Sequence, residues 1–96
     1  MRTEAFLARL QFRTNAPYGG RDPLSEARQF LADKGETSEG QALQKVIAAL
    51  ASDSAEFSET DVWSFSLQMC PLVSALVSAR LEGGYPAEQW VLRAEP

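Results

Sequence analysis

Apolar residues recur at helical spacing after Asp22 and predict an amphipathic helix from Pro23 to Lys34. Asp22 can cap the N-terminus of this helix, and proline suits its first position. Gly35 is typical of the residue at which a helix ends. The residues predicted to share the apolar face are Leu24, Ala27, Phe30 and Leu31.

A second helix is predicted from Ser38 to near Ser52. Ser38 and Gln41 have the spacing of a capping box, in which two side chains satisfy free backbone donors at a helix start. The apolar residues that follow recur at the i, i+3, i+4, i+7 spacing of one helix face. They are Leu43, Val46, Ile47 and Leu50.

The longest apolar segment, residues 62–81, fits two patterns. Alternating apolar and polar residues from Trp63 to Met69 are typical of a half-buried strand, after which Pro71 would open a separate helix. On a helical projection, the apolar residues of the whole segment instead fall on one broad arc, and Pro71 falls on the opposite, polar face with Ser74 and Ser78. Because water can reach the carbonyl that a solvent-facing proline leaves unpaired, this second pattern predicts a kink rather than a break.

The residues before this segment favour the helix. Ser58 and Asp61 can cap a helix start. Phe57 and Val62 are placed to pack together as a hydrophobic staple, which a strand would not use. The prediction is therefore one kinked helix over residues 59–82, ended by the glycine pair that follows it.

The two ends of the chain are ambiguous. Residues 6–12 alternate as in a strand, but the placement of Phe6, Leu7 and Leu10 also suits a helix, which we favour. The C-terminal segment AEQWVLRA, residues 87–94, fits either structure. If both ends were strands, they would pair with each other.

Together these elements predict a single domain over residues 1–96. It is mainly α, a small bundle of three main helices with the kinked helix at its centre and a short terminal element. The alternative is an α+β fold, in which three helices pack on a small sheet formed by the N- and C-terminal segments. The predicted core comprises Leu24, Leu31, Leu43, Ile47, Leu50, Val62, Phe65, Met69, Val73, Leu76 and Val77.

The composition of the chain indicates the size of its core and the cellular compartment in which we expect it. The chain has 96 residues, 45% of them hydrophobic, which is enough for one modest core. Its single cysteine permits no internal disulfide and favours a reducing compartment. Arg9 and Arg13 interrupt the N-terminal apolar residues, so no signal peptide is indicated, and the apolar run from Met69 to Leu81 is shorter than the roughly 20 residues that span a membrane. We therefore expect a cytoplasmic protein without a membrane segment.

Residues that could support catalysis are sparse. Cys70 would need a base to act as a nucleophile, but the chain has no histidine, and its place in the apolar arc predicts a core residue. The acidic run from Asp53 to Asp61 lacks the glycine and the alternating spacing of a calcium-binding loop. The two Gly-Gly pairs lack the rest of a phosphate-binding loop. We therefore predict no catalytic residue, no metal ion and no cofactor, and a protein that is not an enzyme.

The net charge of −4 is unevenly distributed. Residues 1–34 hold six basic and four acidic side chains, a balance of +2, whereas residues 35–96 hold three basic and nine acidic ones, a balance of −6. Nucleic-acid binding through the N-terminal half is therefore an alternative function, although a phosphate backbone requires a more concentrated basic surface. The residues concerned are Arg2, Arg9, Arg13, Arg21 and Arg28, with Tyr18 in the loop between them.

The preferred function is protein binding, by a small acidic regulator or inhibitor. Trp63 and Trp90 are of the type that anchors interfaces, although tryptophan is more often a core residue. The acidic run could face a basic partner surface. The predicted partner-binding residues are Asp53, Glu56, Glu59, Asp61, Tyr85 and Trp90. A homodimer is kept as an option, because the apolar arc of the kinked helix is wide enough for a second neighbour.

Two short pieces of the chain, GETSEGQ at residues 35–41 and FSETDVW at residues 57–63, resemble small proteins of bacterial mobile elements. The resemblance covers these pieces alone and implies no activity and no residue roles. Together with the small size and acidic charge, it underlies the expectation of a bacterial or phage protein.

Overall fold

The computed structural model describes residues 1–20, 22–51 and 56–83, which form five helices and no strand. The helices are α1 (Thr3–Arg13), α2 (Pro23–Lys34), α3 (Ser38–Leu50), α4 (Glu59–Trp63) and α5 (Cys70–Leu81). The mainly α prediction is confirmed, and the ambiguous N-terminal segment is the helix α1. The sheet alternative is not supported, and its C-terminal strand lies outside the described residues. No helix in this part of the chain is long and apolar enough to cross a bilayer.

The helix α5 lies at the centre of the bundle, because α1 and α2 both pack along it and α3 also contacts it. Two residues predicted for the core, Leu31 and Met69, are only partly buried and pack against the outside of the core. The helix α1 adds two fully buried side chains, Phe6 and Leu10, that the predicted core did not include. The other predicted core residues are buried: Leu24, Leu43, Ile47, Leu50, Val62, Phe65, Val73, Leu76 and Val77.

The prediction of one kinked helix over residues 59–82 is wrong. The helix α4 ends at Trp63, residues 64–69 form turns and a bend between the helices, and α5 begins at Cys70 with Pro71 in its first turn. Proline suits that position because the first N–H groups of a helix have no acceptor within the helix. The helix is therefore interrupted at residues 64–69, where only a kink was predicted.

Two side chains from other helices stabilise this interruption between α4 and α5. A continuous helix would pair the Ser66 N–H with the Val62 carbonyl, four residues earlier. Instead, Glu39 Oε2 accepts from the Ser66 N–H at 2.7 Å, and Arg13 Nη1 donates to the Val62 carbonyl at 2.8 Å. Arg13 also donates to the Phe65 carbonyl. Both polar groups of the lost helical bond are therefore satisfied by side chains of α3 and α1.

Three of the predicted helix boundaries are confirmed. Asp22 Oδ2 accepts from the Ser25 N–H at 3.1 Å and caps α2. Ser58 and Asp61 form the capping box of α4, in which the Ser58 N–H lies 2.8 Å from Asp61 Oδ2. The helix α5 ends just before Gly83, whose φ of +71° is a left-handed conformation that glycine adopts without strain.

The cap of α3 is Thr37 rather than the predicted Ser38. Thr37 Oγ1 accepts from the Gly40 N–H at 3.0 Å and donates to the Lys34 carbonyl at 2.7 Å. This hydroxyl therefore joins the end of α2 to the start of α3. Gly40 is buried at the same turn, and a methyl group there would lie 2.8 Å from the Cα atom of Gly35, so the close approach of the two helices requires glycine.

Candidate functional site

Trp63 is the last residue of α4, and 63% of its surface is exposed to solvent. It therefore does not take the core position that is commoner for tryptophan, while Trp90 lies outside the described residues. The indole is nevertheless held in place. Its Nε1–H donates to Glu59 Oε2 at 3.2 Å, and the Arg13 guanidinium lies 4.7 Å from the ring centroid, within the range of a cation–π contact.

Two arginines of α1 support this arrangement. Arg9 and Arg13 are four residues apart, which places them on the same side of the helix. Arg9 forms an ion pair with Glu59, while Arg13 lies over Trp63 and binds the carbonyls at the end of α4. We name the four side chains Arg9, Arg13, Glu59 and Trp63 the Trp63 surface.

The charges of the Trp63 surface keep the indole oriented at neutral pH. The hydrogen bond from Arg9 lowers the pKa of Glu59, partial desolvation opposes this, and the indole of Trp63 adds to the lowering. Glu59 is therefore ionised at neutral pH. The ion pair to Arg9 requires that charge, and the hydrogen bond from Trp63 is strengthened by it.

The predicted partner-binding acids have different surroundings. Glu59 belongs to the Trp63 surface. The side chain of Glu56 is 69% exposed, and its Oε1 lies 3.8 Å from the amino group of Met1. Asp61 is only 5% exposed. The remaining predicted residues, Asp53, Tyr85 and Trp90, lie outside the described residues, and their roles stay predictions.

The carboxylate of Asp61 is engaged within the fold. Its Oδ2 accepts from the Ser58 N–H, and its Oδ1 lies 3.1 Å from the ammonium group of Lys45. Burial by itself would raise the pKa of Asp61, but the Ser58 N–H and the Lys45 charge together outweigh burial and lower it. Asp61 therefore joins α4 to α3, and little of its carboxylate is open to a partner.

Cys70 is fully buried at the start of α5, as the sequence predicted. Burial raises the pKa of its thiol, and the positive charge of Arg13 opposes this only in part. A protonated, shielded thiol is a poor nucleophile. Among residues 1–20, 22–51 and 56–83, no three Asp, Glu or Cys side chains lie close enough to hold a metal ion.

The described N-terminal arginines do not form a free basic surface. Arg9 and Arg13 are both engaged on α4. Arg28 also has a partner within the protein. Arg2 is exposed at the start of α1, and Arg21 lies outside the described residues. Nucleic-acid binding therefore gains no support from this arrangement.

A cleft of about 220 Å³ lies between α5 and the loop that follows α1. On the α5 side it is lined by Pro71, Ser74 and Ser78, the face that the helical projection placed toward solvent. Residues 14–18 line the other side and cover this face, so each of the three is only partly exposed. The polar face of α5 therefore lies against this loop and is not fully open to solvent.

Tyr18, in this loop, makes stability sensitive to alkaline pH. Burial, together with the neighbouring carboxylate of Glu26, raises the pKa of Tyr18 from 10.0 to about 12. The phenol of the unfolded chain loses its proton near pH 10 and that of the folded chain near pH 12, so stability falls as the pH rises through this window. In a Tyr85→Phe variant, where Tyr18 is the remaining tyrosine, we expect an absorbance titration with a midpoint near 12. Glu26→Gln should lower the midpoint, whereas a midpoint at the ordinary value of tyrosine would contradict the burial of the phenol.

Glu59 is one of the partner-binding residues predicted from the sequence, but its contact with an arginine of α1 is not predicted. The sequence contains two pairs at the i, i+4 spacing of helix neighbours, which are Arg9 with Arg13 and Glu59 with Trp63. Each pair predicts neighbours on its own helix. That the two pairs face each other follows only from the packing of α4 on α1.

Comparisons with protein-family models, with curated proteins and with solved structures give no match for this chain. Function is therefore inferred from the described surface itself, from its exposure, its internal bonds and its charges.

Proposed function

We propose that the chain is a non-enzymatic module that binds a protein partner through the Trp63 surface and acts as a regulator or inhibitor in the bacterial cytoplasm. The observation that carries this proposal is the indole of Trp63, 63% exposed yet held by oriented contacts to Glu59 and Arg13. An indole left in water forgoes the free energy that its burial would contribute. A partner that covers Trp63 would gain that free energy.

The internal contacts favour Trp63 as an anchor. Ordering a side chain at an interface costs about 0.5–1.5 kcal/mol. Glu59 and Arg13 already restrict the indole, so less of this cost remains when a partner binds. Tryptophan and arginine are also the residue types most enriched at interface hot spots. The Trp63 surface combines both types.

The charges around Trp63 indicate which partner surface would fit. Arg9 and Glu59 neutralise each other and are 55% and 48% exposed, so their bond can be exchanged for bonds to a partner. Glu56, three residues before Glu59, adds an exposed carboxylate. We therefore propose a partner with an apolar pocket for the indole and a polar rim that carries both a donor for Glu59 and an acceptor for Arg9, in place of their ion pair.

The test is the effect of Trp63→Ala on binding. The partner is first captured from a host lysate on the wild-type chain, identified by mass spectrometry, and then titrated in purified form. We expect Trp63→Ala to weaken its affinity at least about 30-fold, because truncation of a hot-spot residue costs about 2 kcal/mol or more. The indole is mostly exposed, so circular dichroism should show an unchanged fold.

The matched control is Phe12→Ala, which removes an even more exposed aromatic ring outside the Trp63 surface. This variant should bind the partner with wild-type affinity. If Trp63→Ala also bound with wild-type affinity, the Trp63 surface would not be the binding site. Recovery of partners that disappears after nuclease treatment would favour the nucleic-acid alternative instead.

A further inference from the structure

Residues 15–20, which we name the strap, pass along the polar face of α5 with few attachments to the bundle. In the described part of the chain they make no well-formed hydrogen bond to any helix, and the Ala16 N–H donates only to Thr14 Oγ1, at 3.1 Å. All of these residues except Tyr18 are exposed, and Tyr18 is partly buried against the core. The strap is therefore attached mainly by the side chain of Tyr18.

The contact between the strap and α5 leaves buried hydroxyl groups poorly satisfied. The hydroxyl of Ser74, on the polar face of α5, is shielded from water and has no hydrogen-bond partner among the described residues. The hydroxyl of Tyr18 is shielded as well, and it approaches the Glu26 carboxylate without the geometry of a full hydrogen bond. Because a buried polar group loses its bonds to water, both hydroxyls oppose the closed arrangement. Opening the strap would return them to water.

The packing around Tyr18 is also incomplete. Two clefts, of about 220 and 460 Å³, both border Tyr18 and share Pro17 and Pro71 as lining residues. A side chain that borders a void makes fewer contacts than one in a close-packed core, so its displacement costs less. At Gly20, a methyl group would lie 2.6 Å from Tyr18 Cζ and from Glu26 Oε2. The position of Tyr18 in the closed strap therefore requires glycine at residue 20.

We propose that the strap opens and closes over the polar face of α5 as a local motion, in which Tyr18 leaves its position while the helices stay folded. The closed strap covers Pro71, Ser74 and Ser78, and the open strap exposes them. This face of α5 carries hydroxyl groups and no charge, so the open state presents a surface unlike the charged Trp63 surface. The strap is therefore a conformational device that controls a second surface, and it does not rest on the proposed function.

The reaction rate of a thiol placed under the strap tests this motion. In a Cys70→Ala background, Ser74→Cys should react with a soluble disulfide reagent through strap opening, at a rate that depends little on urea, because local opening exposes little surface. Cys70 of the wild-type chain is the control, since it is fully buried at the start of the same helix and should react only through global unfolding. At low urea, the Ser74→Cys thiol should react at least about 100-fold faster than Cys70.

Two neighbouring glycines supply matched variants. Gly20→Ala places a methyl group against the ring of Tyr18, so it should favour the open strap and raise the reaction rate of the Ser74→Cys thiol at least about tenfold. Gly19→Ala adds the same methyl group where no atom of the described residues lies within 4 Å. This second variant should leave the reaction rate unchanged.

Absorbance titration of Tyr18 is a second measurement, and it needs no new cysteine. In the Tyr85→Phe background, Gly20→Ala should lower the midpoint from about 12 toward the ordinary pKa of 10.0, whereas Gly19→Ala should leave it unchanged. Equal midpoints for the two glycine variants would overturn the proposal. So would a Ser74→Cys thiol that reacts as slowly as Cys70 with the same steep urea dependence, or one that reacts as fast as a thiol in an unfolded chain.

Discussion

Replacing Phe6 by alanine is expected to lower the free energy of unfolding by about 3–5 kcal/mol, the usual loss for a buried phenylalanine. Phe6 is fully buried, and its ring stacks on that of Phe57 with the centroids 4.1 Å apart and the planes inclined by 5°. The substitution removes the ring stacking between α1 and the segment that leads into α4. Since domains of this size have a total stability of about 5–15 kcal/mol, urea unfolding should show a clearly lower midpoint with an unchanged slope.

Phe12→Ala is the matched control, because it makes the same substitution in the same helix at a position that is 91% exposed. Its effect should stay within about 0.5 kcal/mol. If Phe6→Ala does not fold, Phe6→Leu retains most of the volume and should lose less than about 1.5 kcal/mol. Similar losses for the alanine variants at positions 6 and 12 would contradict the burial of Phe6.

The secondary structure of the N-terminal segment could not be decided from its sequence pattern alone. The apolar residues among residues 6–12 fit the period of a strand and much of the period of a helix. Their spacing therefore favoured the helix without excluding the strand. The contacts that place this helix come from residues distant in sequence, since α1 packs along α5 and Phe6 stacks on Phe57. By contrast, Asp22 and Ser58 cap helices a few residues away, and such local signals could be predicted.

The candidate site was harder to predict because it arises from the break between α4 and α5. A single helix would place Trp63 and Leu67 on the same apolar arc as Val73 and Leu76. The break leaves Trp63 and Leu67 63% and 58% exposed, while Val73 and Leu76 are fully buried. The bonds that stabilise the break come from side chains of α1 and α3, which no periodicity within residues 59–82 reveals. The aromatic part of the site therefore depends on tertiary contacts.

Arg13→Ala is expected to lower the free energy of unfolding by about 2–3 kcal/mol. The guanidinium donates to the carbonyls of Val62 and Phe65, and hydrogen bonds from charged groups contribute about 1.5–3 kcal/mol each. Both bonds are only partly buried, so water can replace part of what is lost. The Trp63 ring also loses the cation above it. In a Trp90→Phe background, where Trp63 is the remaining tryptophan, its fluorescence anisotropy should fall even at denaturant concentrations at which the chain is still folded.

Arg9→Ala is the control, one turn earlier on the same side of α1. It removes the exposed ion pair with Glu59, and exposed pairs contribute little to stability, so its loss should be clearly smaller than that of Arg13→Ala. Arg13→Lys keeps the charge but not the planar group that reaches two carbonyls, and should give an intermediate loss. If Arg9→Ala and Arg13→Ala were equally destabilising, the bonds of Arg13 to the end of α4 would not be what stabilises the break. The orientation of Trp63 would then depend on its hydrogen bond to Glu59, and Glu59→Ala, which removes the acceptor of the indole N–H, should lower the fluorescence anisotropy of Trp63 as much as Arg13→Ala does.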